Sequence, residues 1–307
     1  MNRVSTGNNY STVLADLMRA QMRQHEAQTQ VASGKVAGDL KGYAKQAETL
    51  MAARSLQTRV EGYMEQGRTL AAKLEVQALA MGQMEDVAAG ARQAIAEAIA
   101  NGRTEGLMGE LSSLFSTATD ALNTRFGGRY VFAGAQVDTA PVEATTLSDL
   151  TAVPAAADVF RNDALVPVSR LDETITVESG FLADAMGEEL FTAFRQVQAY
   201  VEANGGFSGQ LTTAETAFLE GMLGDFEDAR AGLTDTTARN GLTQNRVDKA
   251  LEMHRARQDM LEGMIGGITN VDMAEAVTRL QQAQNAVQAS AQVFMALQGS
   301  SLLNLLK

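Results

Sequence analysis

Cysteine and tryptophan are absent from this 307-residue chain, and histidine occurs only twice. The lack of cysteine removes disulfides, thiol nucleophiles and most structural zinc sites together. With no thiol and two isolated histidines, no nucleophile–base–orienter set can be assembled, and no histidine pair has metal-ligand spacing. His25 and His254 each fall on a predicted helix among Gln, Arg and Glu, so each is expected at a solvated or seam-edge position. Aromatic residues make up 5% of the chain. That argues for a thin core of Ala, Leu, Met and Val, as in long helix pairs, with Met51, Met64, Met81, Met84, Met260 and Met264 as core filler. Basic charge is also scarce: the formal net charge is −12, whereas binding phosphate backbones requires a basic surface, so nucleic acid is not an expected partner. No window reaches the ~18 apolar residues of a bilayer span. Residues 1–10 lack the apolar stretch of a cleaved signal peptide. The expectation is a soluble chain without a membrane partner which, if exported, leaves with no cleaved signal.

Proline is nearly missing too, and its placement divides the chain. Pro141, Pro154 and Pro167 are the only three, and proline inside a helix costs about 3 kcal/mol. The flanks can therefore be continuous helix and the middle cannot. Gly42 to Asn101 reads as one long helix, with Leu50, Ala53, Val60, Met64, Ala71, Leu74, Ala78, Met81, Ala88, Ile95 and Ile99 at helical spacing. A second run follows Asn101-Gly102, from Leu107 to Leu122. Helix resumes near Phe181, stops at Asn204-Gly205-Gly206, and restarts at Thr212-Thr213-Ala214-Glu215, a capping signal. Between the flanks, Arg129–Gly134, Asp158–Arg161, Leu165–Val168 and Thr174–Val177 read as short strands. The stretch Asp138–Glu189 holds eleven Asp or Glu against Arg161 and Arg170, and is expected to be the most solvated part. It lacks the Asp-x-Asp-x-Asp-Gly order of a calcium loop. Neither Gly127-Gly128 nor Gly205-Gly206 sits in the strand–glycine–helix order of a phosphate loop. No catalytic, cofactor-binding or metal-binding residue is expected, and no enzyme activity.

What the chain does have is two amphipathic ends. Chain termini are usually polar and frayed, but here Tyr10, Val13, Leu14, Leu17, Met18 and Val31 stripe the first forty residues. Near the other end Ala276, Leu280, Ala283, Val287, Ser290, Phe294 and Leu297 alternate spacings of four and three, a heptad seam with small residues that permit close approach. The run closes on Leu302, Leu303, Leu305 and Leu306. From Val271 onward only Asp272, Glu275, Arg279 and Lys307 are charged. A helix that poor in charge is expected to be buried on more than one side, so partners are implied: the two ends for each other, or other copies of the chain. An intramolecular bundle without an assembly role is the plainer reading of the same seam.

Several segments resemble the bacterial flagellin and flagellar hook-associated family. Asn240-Gly241-Leu242-Thr243-Gln244-Asn245-Arg246-Val247 is similar to the signature that opens the family's long C-terminal helix. Gly267–Ala276, with Asp272, resembles its Ile-x-x-x-Asp-x-Ala-Glu segment. Leu302–Leu306 resembles its Leu-Leu-x-Leu-Leu tail, and Ser33-Gly34-Lys35 the segment after its first helix. Gly128–Gly134, with Tyr130, Phe132 and Gly134, is similar to the entry into the β domain of the family's hook–filament junction members. The resemblance covers about 1–128 and 185–307.

It implies a structural protein that leaves the cell unfolded through the flagellar type III apparatus and self-assembles outside it in the flagellum. It would form a junction layer between hook and filament. Its partners would be itself, hook and hook-associated proteins, flagellin and an export chaperone, and it would need no cofactor. Alternatives are a flagellin filament subunit or a soluble helical-rod sensor or adaptor. The expected fold is mainly α: a long antiparallel helical rod with coiled-coil-like paired termini and a small inserted β-rich domain. The expected domains are 1–40 with 270–307 for terminal assembly, 41–129 with 181–269 as a long-helix rod, and 130–180 as an acidic outer insert. The expected interface comprises Leu14, Leu17, Val31, Ala276, Leu280, Val287, Phe294, Leu297, Leu302, Leu303, Leu305 and Leu306.

Overall fold

The computed structural model describes residues 2–207 and 209–303, with side chains for 11–207 and 209–298. The fold is mainly α, 74% helical, as the sequence predicts, with two small antiparallel sheets among the described residues. In chain order its helices are α1 (Asn2–Ser33), α2 (Ala47–Asn101), α3 (Leu107–Leu122), α4 (Leu147–Ala152), α5 (Ala183–Asn204), α6 (Thr213–Thr269) and α7 (Met273–Leu303). Two compact units emerge: Met1–Val60 with Arg257–Lys307, and Glu61–Ala256.

Local chemistry sets most helix ends. The helix expected from Gly42 begins instead at Ala47, because Asp39 caps a short 3-10 turn over Leu40–Tyr43 by accepting from the Gly42 N–H at 3.1 Å. Tyr43 Oη secures that turn by donating to the Ala37 carbonyl at 2.7 Å. α2 stops at Asn101, as Asn101-Gly102 predicts. α6 starts on a reciprocal cap: the Thr212 N–H donates to the Glu215 carboxylate at 2.7 Å, and the Glu215 N–H donates to Thr212 Oγ1 at 3.2 Å.

In the unit Glu61–Ala256, phenylalanines carry the core. Phe115 lies 5.0 Å from Phe191 and 5.7 Å from Phe194, and Phe194 lies 5.1 Å from Phe226, in tilted or edge contacts favoured by aromatic quadrupoles. The core is thicker here than the low aromatic content suggests, because the few aromatics are concentrated in one cluster.

The proline-marked stretch contains less strand than expected. β1 (Arg125–Phe126) pairs with β2 (Arg129–Tyr130) around Gly127-Gly128, and β3 (Val168–Arg170) pairs with β4 (Thr176–Glu178). Asp158–Arg161 is not a strand. Asp158 accepts the Ala155 N–H at 2.9 Å and closes a 3-10 turn over Ala156–Val159, leaving a single bridge between Val142 and Phe160. Past Tyr130 the chain turns inward, with Phe132 fully buried and Gly134 at φ +68°. A Cβ on Gly134 would collide with the carboxylate of Asp163, which accepts the N–H groups of Ala135 and Leu165. The acidic stretch is also less solvated than expected. Its Glu143–Arg161 pair is exposed, but Val142, Leu147, Leu150 and Val159 are buried in the phenylalanine core.

Two further expectations are corrected. His254 is neither solvated nor at a seam edge: it is buried, its Nε2–H donates to the Leu171 carbonyl at 2.8 Å, and its ring stacks on Tyr63 at 5.7 Å. His25 is exposed, as expected. Met64, Met81 and Met84 are core residues, but Met51, Met260 and Met264 are exposed. The exposed three lie in the unit built from the two chain ends.

Candidate assembly surface

In the unit of the chain ends, α1 packs along α7. Lys35, just past α1, forms an antiparallel bridge with Asn270, just before α7, so the two helices run in opposite directions. On α7 the heptad seam predicted from sequence is the face turned inward. Ala276 and Ala283 are buried, and Leu280, Val287, Ser290, Phe294 and Leu297 are half-buried. On α1, Leu14, Leu17 and Val31 are half-buried and Ala20 and Ala27 are buried. Alanines at the closest positions let the two backbones approach. The side chains of Leu302 and Leu303, and residues Leu305 and Leu306 entirely, lie outside the described residues.

Pairing covers one face of each helix and leaves apolar side chains on the others. Met18 and Met22 on α1, and Val277, Val293 and Met295 on α7, are each at least 41% exposed. Scattered surface apolar residues are ordinary, but here they occur on both members of a pair whose partner-facing stripes are already satisfied.

The pair is clasped where α1 ends and α7 begins. Gly34 ends α1 at φ +67°, with its N–H donating to the Gln30 carbonyl at 2.9 Å. The Val36 N–H then donates to the Thr269 carbonyl at 2.8 Å, and the Val271 N–H to the Gly34 carbonyl at 3.0 Å. Lys35 Nζ reaches Asn270 Oδ1 at 2.7 Å. Two residues on, Asp272 Oδ1 accepts the N–H groups of Ala274 at 2.8 Å and Glu275 at 3.2 Å, capping α7. Two sequence motifs at opposite ends of the chain, Ser33-Gly34-Lys35 and Ile268–Asp272, are thus halves of one clasp.

The other signature residues lie elsewhere. Gln244, Asn245 and Arg246 sit well inside α6 rather than opening a helix, because α6 runs unbroken from Thr213. Asn245 Nδ2 donates back to the Gly241 carbonyl at 3.0 Å. Tyr130, Phe132 and Gly134 form the inward turn described above. Sequence reasoning named Asn240 only as part of a signature, without its buried role, and missed Gln77; both are fully buried. Asn240 Nδ2 donates to the Leu74 carbonyl on α2 at 3.0 Å, and Gln77 Nε2 to the Val131 carbonyl at 3.3 Å. A polar residue at an apolar-spaced position was the available signal.

Among the described residues, no helix is long and apolar enough to cross a membrane, and no acidic or histidine cluster has the form of a metal site. Residues 223–306 match the family model for the bacterial flagellin C-terminal helical region. No curated protein sequence matches the chain. Among solved structures, the fold is similar to that of a protein described as flagellar hook-associated from Vibrio parahaemolyticus. The TM-score is 0.60 at 15% identity, over 73% of this chain and 97% of that one. Bacillus cereus FlgL gives 0.55 at 13% identity, over 71% and 99%. Residues 223–306 are thus similar to the bacterial flagellin C-terminal helical region, and the fold is similar to that of these two flagellar proteins.

Proposed function

We propose that the protein is a non-enzymatic structural component of the bacterial flagellum, assembling through its terminal helices as a junction layer between hook and filament. The observation that carries this reading is the clasped α1–α7 pair with apolar side chains left bare on its outer faces. Such a surface is completed by further helices of the same kind, and head-to-tail contacts between copies build rings where the rotation closes and helical layers where it does not. In this reading segments 1–40 and 270–307 form the assembly domain, 41–129 and 181–269 the rod, and 130–180 the outer insert. The neighbours are other copies, hook proteins and flagellin, and the chain reaches them by flagellar export in the keeping of a chaperone.

A second reading, a filament subunit, is favoured by the match of residues 223–306 to a flagellin region. Immunogold labelling of sheared appendages separates the two. A junction protein gives label confined to the hook–filament boundary, and label along the whole filament supports the second reading. Deleting 1–40 and 270–307 should abolish incorporation; a truncated chain that still takes its place at the boundary rejects the role of the ends.

A further inference from the structure

The unit Glu61–Ala256 carries two surfaces of opposite charge. One is a groove of 580 Å³ bounded by α2, β2 and the start of the β3–β4 hairpin, floored by Leu70, Val131 and Leu171. Its cations are Lys73, Arg129 and Arg170, against the single carboxylate of Glu65. That carboxylate pairs with Arg68 at 3.5 Å. Arg170 is held by the carbonyls of Asp172 and Glu173 at 3.0 and 2.6 Å. Lys73 and Arg129 have no carboxylate partner among the described residues. Lys73 is half-buried, and that burial holds its pKa below the usual lysine range, so a carboxylate brought into the groove would relieve it.

The other surface lies between α5 and α6, where Glu188, Glu189, Asp225 and Asp228 line a shallow face with no cation among its lining residues. The adjacent arginines, Arg92 and Arg230, are engaged by Glu227 at 3.4 and 3.3 Å. The Arg92–Glu227 pair sets this face level with residue 92 of α2, while the groove opens at residue 73. At ~1.5 Å per residue the two are offset by about 30 Å along the helix.

We propose that the basic groove of one copy receives the acidic α5–α6 face of a second copy. This contact rests on the reading that the chain self-assembles, and adds to the terminal helices a lateral, charge-matched contact between copies. The surfaces are distinct and offset, so each copy can engage two different neighbours; in the proposed arrangement the contact is heterologous and propagates rather than closing as a reciprocal twofold dimer. A groove shaped for an unrelated acidic protein would need no matching face on its own chain. In a chain of net charge −12, a groove this rich in unpaired cation also opposes the general repulsion between copies.

The absence of native cysteine makes the test direct. The purified full chain carrying Thr69→Cys at the groove and Gln196→Cys on the acidic face is treated with a bis-maleimide at low ionic strength. The expected product is a ladder extending beyond dimer, fading as salt is raised, whereas each single-cysteine variant stops at dimer. Adding Lys73→Glu with Arg129→Glu, or Glu188→Lys with Glu189→Lys, should reduce the ladder at least tenfold while leaving far-ultraviolet circular dichroism unchanged. All four reversals together should restore it. No ladder beyond dimer, a ladder indifferent to either reversal, or failure of the fourfold swap to restore it overturns the proposal. Junction labelling without a ladder rejects this contact alone; a ladder without flagellar labelling rejects the proposed function alone.

Discussion

His254 joins three elements at one point: its own helix α6, Tyr63 on α2, and the Leu171 carbonyl at the tip of the β3–β4 hairpin. Its Nδ1 has no partner, so the ring gains from one hydrogen bond and from packing. His254→Ala should therefore cost about 3 kcal/mol, mostly through the cavity left by a buried ring. His254→Phe, which keeps the stack and loses the donor, should cost about 1 kcal/mol. Urea midpoints of the two variants give the comparison, and equal losses would assign the effect to the hydrogen bond alone. From sequence this histidine could not be told from His25, since both have polar helical neighbours; the difference lies in which face the hairpin covers. Lys73 gives the opposite case. Burial lowers its folded pKa, so the folded chain releases that proton at lower pH than the unfolded chain. Stability is thus reduced below the folded pKa and recovers as pH rises through it toward the ordinary lysine value. Lys73→Met should raise the melting temperature near pH 7, by about 0.5–1 kcal/mol equivalent, and lose that advantage at strongly alkaline pH. The same substitution should weaken the ladder between copies, since the cation retained at a cost in stability is the one the acidic face needs.

The clasp between α1 and α7 is the element on which the terminal pair depends, and two residues hold it by different means. Gly34 occupies a left-handed conformation with open space around it, so Gly34→Ala pays only the backbone penalty, about 1 kcal/mol. Asp272→Ala removes the α7 cap, also about 1 kcal/mol. Hydrogen exchange of the first α7 turn should accelerate roughly fivefold in either variant. If neither changes exchange there, the clasp is not what fixes the start of α7. The helices themselves were legible in the sequence because their apolar spacing is regular: Leu50, Leu74, Met81 and Ile95 are all buried as spaced. The α7 seam was legible for the same reason. The clasp was not, because Lys35 and Asn270 carry no periodic signal and meet only through the path of the whole chain. Asp158–Arg161 misled because Val159 and Phe160 suit a strand, while the Asp158 side chain offers the backbone a closer partner than a neighbouring strand.

The two units differ in what holds each together, and that difference should be measurable. In Glu61–Ala256 the core contains Phe115, Phe132, Phe191, Phe194 and Phe226, all fully buried. In the unit of the chain ends, the buried apolar residues among those described are Leu50, Val60 and Leu261 with five alanines, Ala20, Ala27, Ala53, Ala276 and Ala283. Fully burying a large apolar side chain contributes about 1.5–3 kcal/mol, and alanine contributes much less. Long helices without such burial are marginal on their own, since helix stability in proteins comes mainly from the packed face. An assembly that supplies neighbours to the bare faces of α1 and α7 would make up the difference, so a weak unit in the isolated chain is what a surface awaiting partners requires. Urea unfolding of the purified chain should then show two transitions. Far-ultraviolet ellipticity should begin to fall at low denaturant as α1 and α7 melt, while the near-ultraviolet aromatic signal of Tyr63, Tyr130 and Tyr200, all in the phenylalanine-cored unit, persists to a higher midpoint. Deleting 1–33 and 273–307 should remove the first transition and leave the second midpoint nearly unchanged. Coincident curves by the two probes, or a second midpoint that collapses with the deletion, would mean that the chain ends are part of one cooperative structure before any partner arrives.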